Sequence, residues 1–370
     1  MSNDSNWCPE IYRSIFVDRH NDDQIRVAPC CQAISKIESV KEFDFHTSSY
    51  LQELRAQFNL GKKPKECQRC WDIEDLGQKS RRQSAIEFFS LPDMSREVVL
   101  ESIDHSATWA CNLACIMCNE VNSSTWATEI GVDRQQLHRL GRLFQKRNNF
   151  LDQLDVEHIK KIHFNGGEPM INNDQIGLLE RLNCQRILKD VFISYNTNGT
   201  IMPSETIIDL WSRAKLIKIF FSVDATDRAF EYIRYPCRWA DIEKNIISMK
   251  EKLPHNVMFG FNITVGVYNL LELGALHQWF QDNISSNRAG DPSDFCWQFA
   301  YNYDPSWATT ALKEQVIDEL KDIEHYQGIV SYLKSHINYV GGKDWIQLLD
   351  KIDQRRGTNW RQSLRIGKYY

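Results

Sequence analysis

The sequence predicts an α/β fold: an open, partial (β/α)6 barrel, preceded by a small cysteine-rich segment and followed by a helical tail. Three observations predict it. From about residue 98, apolar strands alternate with helical patterns, as repeated strand–helix units do. The eleven cysteines are grouped, with five in the first 70 residues and three inside "CNLACIMC" (111–118). Beyond residue 305 the periodicity is helical only. The segments so drawn are 1–97, 98–304 and 305–370.

The first segment opens with "WCPEIYRSIFVDRHNDDQIRVAPCC" (7–31), read as a hairpin that turns at His20 to Asp23 and ends in two cysteines. "KECQRCWDIED" (65–75) adds a C-x2-C pair at Cys67 and Cys70. Strands follow at 98–110, 160–164, 190–196, 215–224, 256–267 and 295–303. Several are nearly continuously apolar, as strands covered on both faces are. Helical stretches separate them, one of them with Ser204 as its expected N-cap. Such units imply right-handed crossovers and a parallel sheet, and six are too few for a closed eight-stranded barrel. The connection at 121–155 carries Leu137, Leu140, Leu143 and Phe144 on a helix expected outside the barrel. "ALKEQVIDELKDI" and "KDWIQLLDKIDQ" are amphipathic helices of the tail.

Composition narrows the class. Of 370 residues 42% are hydrophobic, as in a globular protein, and the net charge of −5 does not point to a nucleic-acid partner. No apolar run would span a membrane. "MSNDSNWCPE" has no signal-peptide core, so a cytoplasmic protein is expected. In that reducing compartment, clustered cysteines read as metal sites.

The chemistry-bearing residues fall at strand ends. "CNLACIMC" has the spacing C-x3-C-x2-C, three thiolates from one loop. A cubane [4Fe–4S] cluster takes four ligands, so three leave one iron open to substrate or cofactor. "NGGEP" (165–169) offers close backbone approach at Gly166 and Gly167, and its Glu168 carboxylate suits a cationic amino group. "NTNG" (196–199) is a plain turn or brings Asn196 or Asn198 to a ligand. "FSVDAT" holds Ser222 and Asp224, and "YIRYP" holds Arg234, whose guanidinium fork fits a carboxylate. "FNITVGVYN" adds Asn262, Thr264 and Val265 as pocket residues. In a β/α barrel these ends share the face that carries the active site. His105, His163 and Tyr195 are expected in the barrel interior or substrate pocket, with no assigned role.

These motifs resemble those of the radical S-adenosylmethionine (SAM) superfamily. The resemblance implies that Cys111, Cys115 and Cys118 hold a catalytic [4Fe–4S] cluster, to whose open iron SAM binds. Reduction then yields a 5′-deoxyadenosyl radical that abstracts hydrogen from a peptide or small-molecule substrate. It further implies that Gly166, Gly167 and Glu168 bind the SAM amino group. Ser222 and Asp224 would approach the ribose and SAM tail, Arg234 would face the SAM carboxylate, and Asn198 would lie near the cofactor. Met117 stands where the family commonly has an aromatic residue.

The N-terminal cysteines resemble the auxiliary-cluster domains called SPASM and twitch, which usually follow the barrel but here precede it. By that likeness Cys8, Cys30, Cys67 and Cys70 hold a second [4Fe–4S] cluster, with Cys31 the substitute if Cys30 points away. A structural zinc ribbon fits the same four cysteines. The resemblance also implies reduced flavodoxin or ferredoxin as electron donor. The alternative is a non-catalytic metal-binding scaffold with structural zinc on a degenerate barrel; the intact Gly166, Gly167 and Glu168 speak against it.

Overall fold

The computed structural model describes residues 6–75, 79–90, 95–140, 150–171, 173–284, 295–342 and 344–370. Leu143 and Phe144, expected on an outer helix, lie outside the described residues. The chain divides into two compact units. One comprises Met1–Trp109, Val132–Tyr195 and Asp209–Ile217; the other comprises Ala110–Gly131, Asn196–Ile208 and Lys218–Tyr370.

The first unit is built on strands β1 (Ser14–Arg19), β2 (Gln24–Ala28), β3 (Lys36–Ser39), β4 (Ser102–Thr108), β5 (Lys161–Gly166) and β6 (Phe192–Thr197). Their order is β3-β2-β1-β4-β5-β6. β1 and β2 form the hairpin read from the sequence, Arg19 opposite Ile25, with His20 and Asn21 both donating to the Gln24 carbonyl. The unforeseen feature is that β1 also pairs in parallel with β4, Ser14 beside Ser102 and Phe16 beside Asp104. The hairpin is thus part of the barrel sheet. Ile15 and Val17 are buried, which gives β1 the apolar face an interior strand needs.

β4, β5 and β6 are parallel, with Asp104, His163 and Ser194 in one cross-strand row. Period-two alternation splits each strand between two faces. Ile162, Phe164, Ile193 and Tyr195 are wholly buried on one face. There Phe164 stacks on Tyr195 with centroids 5.0 Å apart, and Trp211 Nε1 donates to the Tyr195 hydroxyl at 3.1 Å. His105 shares that face, its ring edge-on to Phe164 at 6.2 Å. The expectation that His105 and Tyr195 line the barrel interior is corrected by this alternation: both are in the apolar layer. Only His163 faces the polar side.

The second unit holds most of β7 (Leu216–Phe221), together with β8 (Val257–Val265) and β9 (Phe295–Phe299), with β8 and β9 parallel. Helices Asp227–Ile233, Trp239–Lys252 and Leu273–Asn283 lie between or after them. Ser204 caps the helix Glu205–Ser212, its hydroxyl accepting the Ile207 amide proton. The tail folds as helices Thr310–Leu320, Gln327–Ser335 and Asp344–Arg356, anchored by buried Trp345 and Trp360. The molecule is a mixed α/β protein with a parallel sheet and a helical C-terminal region, and it fits the partial barrel. Among the described residues no helix is long and apolar enough to cross a membrane.

Candidate functional site

The three-cysteine loop leaves the end of β4 and belongs to the second unit. It has no regular secondary structure, so each of its polar backbone groups needs a partner from elsewhere. Short-range partners come from the helix Ser124–Glu129 and its cap. Cys111 N–H donates to Ser124 Oγ at 3.1 Å, Thr125 Oγ1 donates to the Cys111 carbonyl at 2.6 Å, and Ser123 Oγ to that of Leu113 at 2.5 Å. Trp126 Nε1 donates to the Cys115 carbonyl at 2.6 Å. Ala114 and Ile116 amides donate to the carbonyls of Tyr235 and Ile233, a ladder-like seam. Finally Arg356, from the last long helix, donates Nη2 to the Ala114 carbonyl at 2.6 Å.

This scaffold places the Cys115 and Cys118 thiols side by side, with Cys111 near enough to act electrostatically on Cys118. The Cys118 thiol hydrogen-bonds Cys115. That bond, opposed by burial and aided by the Arg234 guanidinium, brings Cys115 down to about 7. Arg234 Nη1 lies 3.9 Å from Cys115 Sγ, and Asn198 Nδ2 lies 3.9 Å from Cys111 Sγ. Asn198 is itself fixed. Its Nδ2 donates to Asn112 Oδ1 at 3.0 Å, and its Oδ1 accepts from the Thr200 amide at 2.9 Å. The loop sulfurs therefore see two donors, and Cys115 also feels the positive charges of Arg234 and Arg356.

Asp224 and Arg234 form a buried ion pair at 2.7 Å, with Asp224 wholly buried. Asp224 Oδ2 accepts from Arg234 and Oδ1 from the Thr264 amide at 2.7 Å; its carbonyl takes Asn269 Nδ2 at 2.9 Å. Both carboxylate oxygens are thus engaged by protein. Burial raises the Asp224 carboxyl, against the pull of Arg234. Ser222 is half-buried, its amide donating to Thr197. Asn262 and Thr264 are half-buried and Val265 is fully buried along β8.

Gly166, Gly167 and Glu168 end β5 in the first unit. Gly166 has φ 109°, a conformation that L side chains rarely adopt, where β4 and β5 shift register at Thr108. Glu168 is wholly buried, and its Oε1 accepts the Met170 amide at 3.0 Å.

The N-terminal cysteines come together in the first unit as well. Cys8, Cys30, Cys67 and Cys70 all line one small pocket, beside Pro29, Trp71 and Arg82. Among the described residues no three His, Cys, Asp or Glu side chains are gathered round a single ion-sized point. Burial pushes Cys8 and Cys30 well up, and burial with the neighbouring Cys70 pushes Cys67 up to about 12. A metal taking these sulfurs has to expel their protons. Cys31 is exposed and turns the other way, accepting from Arg81 Nη1 at 3.0 Å.

Residues that the motifs do not reveal complete the loop's surroundings. Arg356 is 2% exposed, pairs with Glu129 at 3.0 Å and lies over the rings of Trp126 and Tyr235 at 5.2 and 4.6 Å. Only the tryptophan and the Ser123 cap left a signal, as an S-x-x-W start to a short helix.

Residues 106–272 match the family model described as Radical SAM superfamily. A probable GTP 3′,8-cyclase from Methanocaldococcus jannaschii is 26% identical over 160 residues, which are 42% of this chain and 46% of the relative. The match thus spans about half the length of that curated relative. Among solved structures, native anSMEcpe with bound AdoMet is 17% identical at TM-score 0.42, over 63% of this chain and 62% of that one. Streptococcus suis SuiB bound to S-adenosylmethionine is 13% identical at TM-score 0.37, over 84% and 70%. The chain carries a radical SAM domain over residues 106–272.

Proposed function

We propose that this protein is a radical SAM enzyme with two iron–sulfur clusters, acting on a peptide or small-molecule substrate. The observation that carries it is the loop 111–118: three cysteines carried on one fixed backbone, with a guanidinium 3.9 Å from Cys115 and no fourth cysteine in the loop. That donor set suits a [4Fe–4S] cluster with one open iron. With cluster and SAM bound, the pair supplies reductive cleavage of SAM to a 5′-deoxyadenosyl radical that abstracts hydrogen from substrate.

The chain's own residues hold and orient. Arg234 offsets thiolate charge and stands ready for a carboxylate, while Asp224 acts by fixing Arg234 rather than by reaching a ligand. Glu168 presents a buried carboxylate for an amino group, beside a backbone that Gly166 lets approach closely. Asn198 orients Cys111.

The four-cysteine cavity supports an auxiliary [4Fe–4S] cluster at Cys8, Cys30, Cys67 and Cys70. One thiolate per iron spreads four sulfurs round a volume, whereas tetrahedral zinc draws them within about 2.3 Å of one point. The electron would come from reduced flavodoxin or ferredoxin. Anaerobic protein given dithionite and SAM should release 5′-deoxyadenosine and contain about eight irons per chain. No 5′-deoxyadenosine from protein with an intact cluster refutes the radical reading. About four irons with one zinc refutes the auxiliary cluster alone.

A further inference from the structure

The face of β4, β5 and β6 opposite the apolar layer is polar, and the cofactor motifs leave it unexplained. Lys161, His163 and Asn165 alternate with Ile162 and Phe164 along β5. Across the strands, Ser102 stands beside Lys161, Asp104 beside His163 and Ser194, and Ser106 beside Asn165. These side chains interlock. His163 Nδ1 and Ser194 Oγ are 2.8 Å apart, and Asn165 Nδ2 donates to Asp104 Oδ1 at 2.6 Å. The helix Arg81–Phe89 lies against the same face. Arg81 meets Asp104 at 3.3 Å, and the Phe88 ring meets Lys161 Nζ at 4.8 Å.

The charges on this face balance in number but not in direct contact. Arg81 takes Glu10 at 2.8 Å as well as Asp104, so each of those carboxylates has a cation in direct contact. Lys161 has none. Among the described residues it makes no ion pair or side-chain hydrogen bond, and a phenylalanine ring contributes only about 0.5–1 kcal/mol to an ammonium. Burial and the like charge of Arg81 lower its pKa, against the more distant pull of Glu10, Asp104 and Cys31. An apolar residue would serve packing better there, since an unpaired, partly desolvated charge costs free energy.

We propose that this face is the substrate-anchoring surface and that Lys161 binds an anionic group of the substrate, a carboxylate or a phosphate. His163 and Asn165 follow Lys161 on the same face of β5 toward the Gly166–Glu168 element. Five residues of strand place Lys161 on the order of 15 Å from Gly166. The substrate is therefore elongated, with its anionic end far from the carbon that reacts. The inference rests on the function proposed above for the word substrate, but its test needs neither cluster nor SAM, so anion binding can hold while the radical reading fails, and the reverse.

Full-length protein in low salt is titrated calorimetrically with pyrophosphate and, separately, with glutarate. Saturable binding of one probe and not the other names the group; binding of both keeps the shared chemistry. Lys161→Met should weaken binding about tenfold or more, and Lys161→Arg should restore most of it. Lys160→Met should bind as the unaltered protein does, because Lys160 pairs with Glu101 at 2.6 Å and is 59% exposed. Should Lys161→Met not fold, acylation of Lys161 in the unaltered protein, followed by mass spectrometry, replaces it: a saturating probe should slow the labelling of Lys161 but not of Lys160. The proposal is overturned if neither probe binds, if Lys161→Met binds as tightly as the unaltered protein, or if the probe leaves labelling of Lys161 unchanged.

Discussion

Ala114 carbonyl and Glu129 hold one guanidinium, that of Arg356, which is nearly inaccessible to water. Replacing it with methionine leaves both acceptors short of a donor inside the protein, at a cost on the order of 3 kcal/mol. Arg356→Met should speed amide exchange of residues 113–118 in metal-free protein and reduce the iron retained there; unchanged exchange would show that the contact is incidental. A second pair of variants separates adjacent cysteines. Cys30→Ser should lose about four irons per chain and Cys31→Ser none, read by iron quantification on anaerobic protein. Legibility at this scale follows locality. Cys111, Cys115 and Cys118 lie within eight residues and Gly166 to Glu168 are contiguous, so both motifs were readable. Arg356 reaches the same loop from the far end of the chain. No local pattern announces a contact between residues so far apart. Cys30 and Cys31 stayed unresolved because neighbours point opposite ways and only the fold says which way is inward.

The helix Gln68–Asp75 carries both Cys67's neighbour Cys70 and, at its other end, Glu74. Burial alone would raise the Glu74 carboxyl, but Arg82 and Ser80 hydrogen-bond its oxygens and hold it below its ordinary value. Arg82 also donates to the Trp7 carbonyl at 2.9 Å and covers the Trp71 ring at 4.5 Å, so Glu74 braces one wall of the cysteine cavity. A carboxyl lowered on folding stabilises the protein above its unfolded pKa, about 4.3, and the contribution is lost as pH falls through the folded value. Glu74→Gln should therefore flatten the acid limb of a stability-versus-pH curve below about pH 4.3, measured by denaturant midpoints. An unchanged limb would mean that Glu74 keeps the same protons in both states. Element positions were largely legible because alternation and apolar runs are local: four of the six predicted barrel strands enclose the observed ones, and β5 and β6 run two residues and one residue past their predicted ends. Which face a residue takes was less so. His105 and Tyr195 look polar in sequence, yet strand parity places them in the apolar layer, where Trp211 satisfies the tyrosine hydroxyl.

At the scale of the molecule, cysteine grouping suggested a front segment ending at residue 97, but the ladder between β1 and β4 runs across that point. Register between strands so far apart is set by packing and leaves no local trace in sequence, so the hairpin was readable and its partner was not. The ladder has a consequence for biosynthesis. Ser14–Arg19 emerges from the ribosome long before Ser102–Thr108 exists, so a hairpin already flanked by Cys8 and Cys30 waits with one side uncovered. A nascent or truncated chain stopped at 97 exposes Ile15 and Val17 on an open strand edge, a template for pairing with other chains. Light scattering should show that a 1–97 fragment self-associates while 1–109, which includes β4, does so less; equal scattering would show that β4 does not shield the edge. The order of synthesis thus leaves the hairpin without its parallel partner until Ser102–Thr108 has been made.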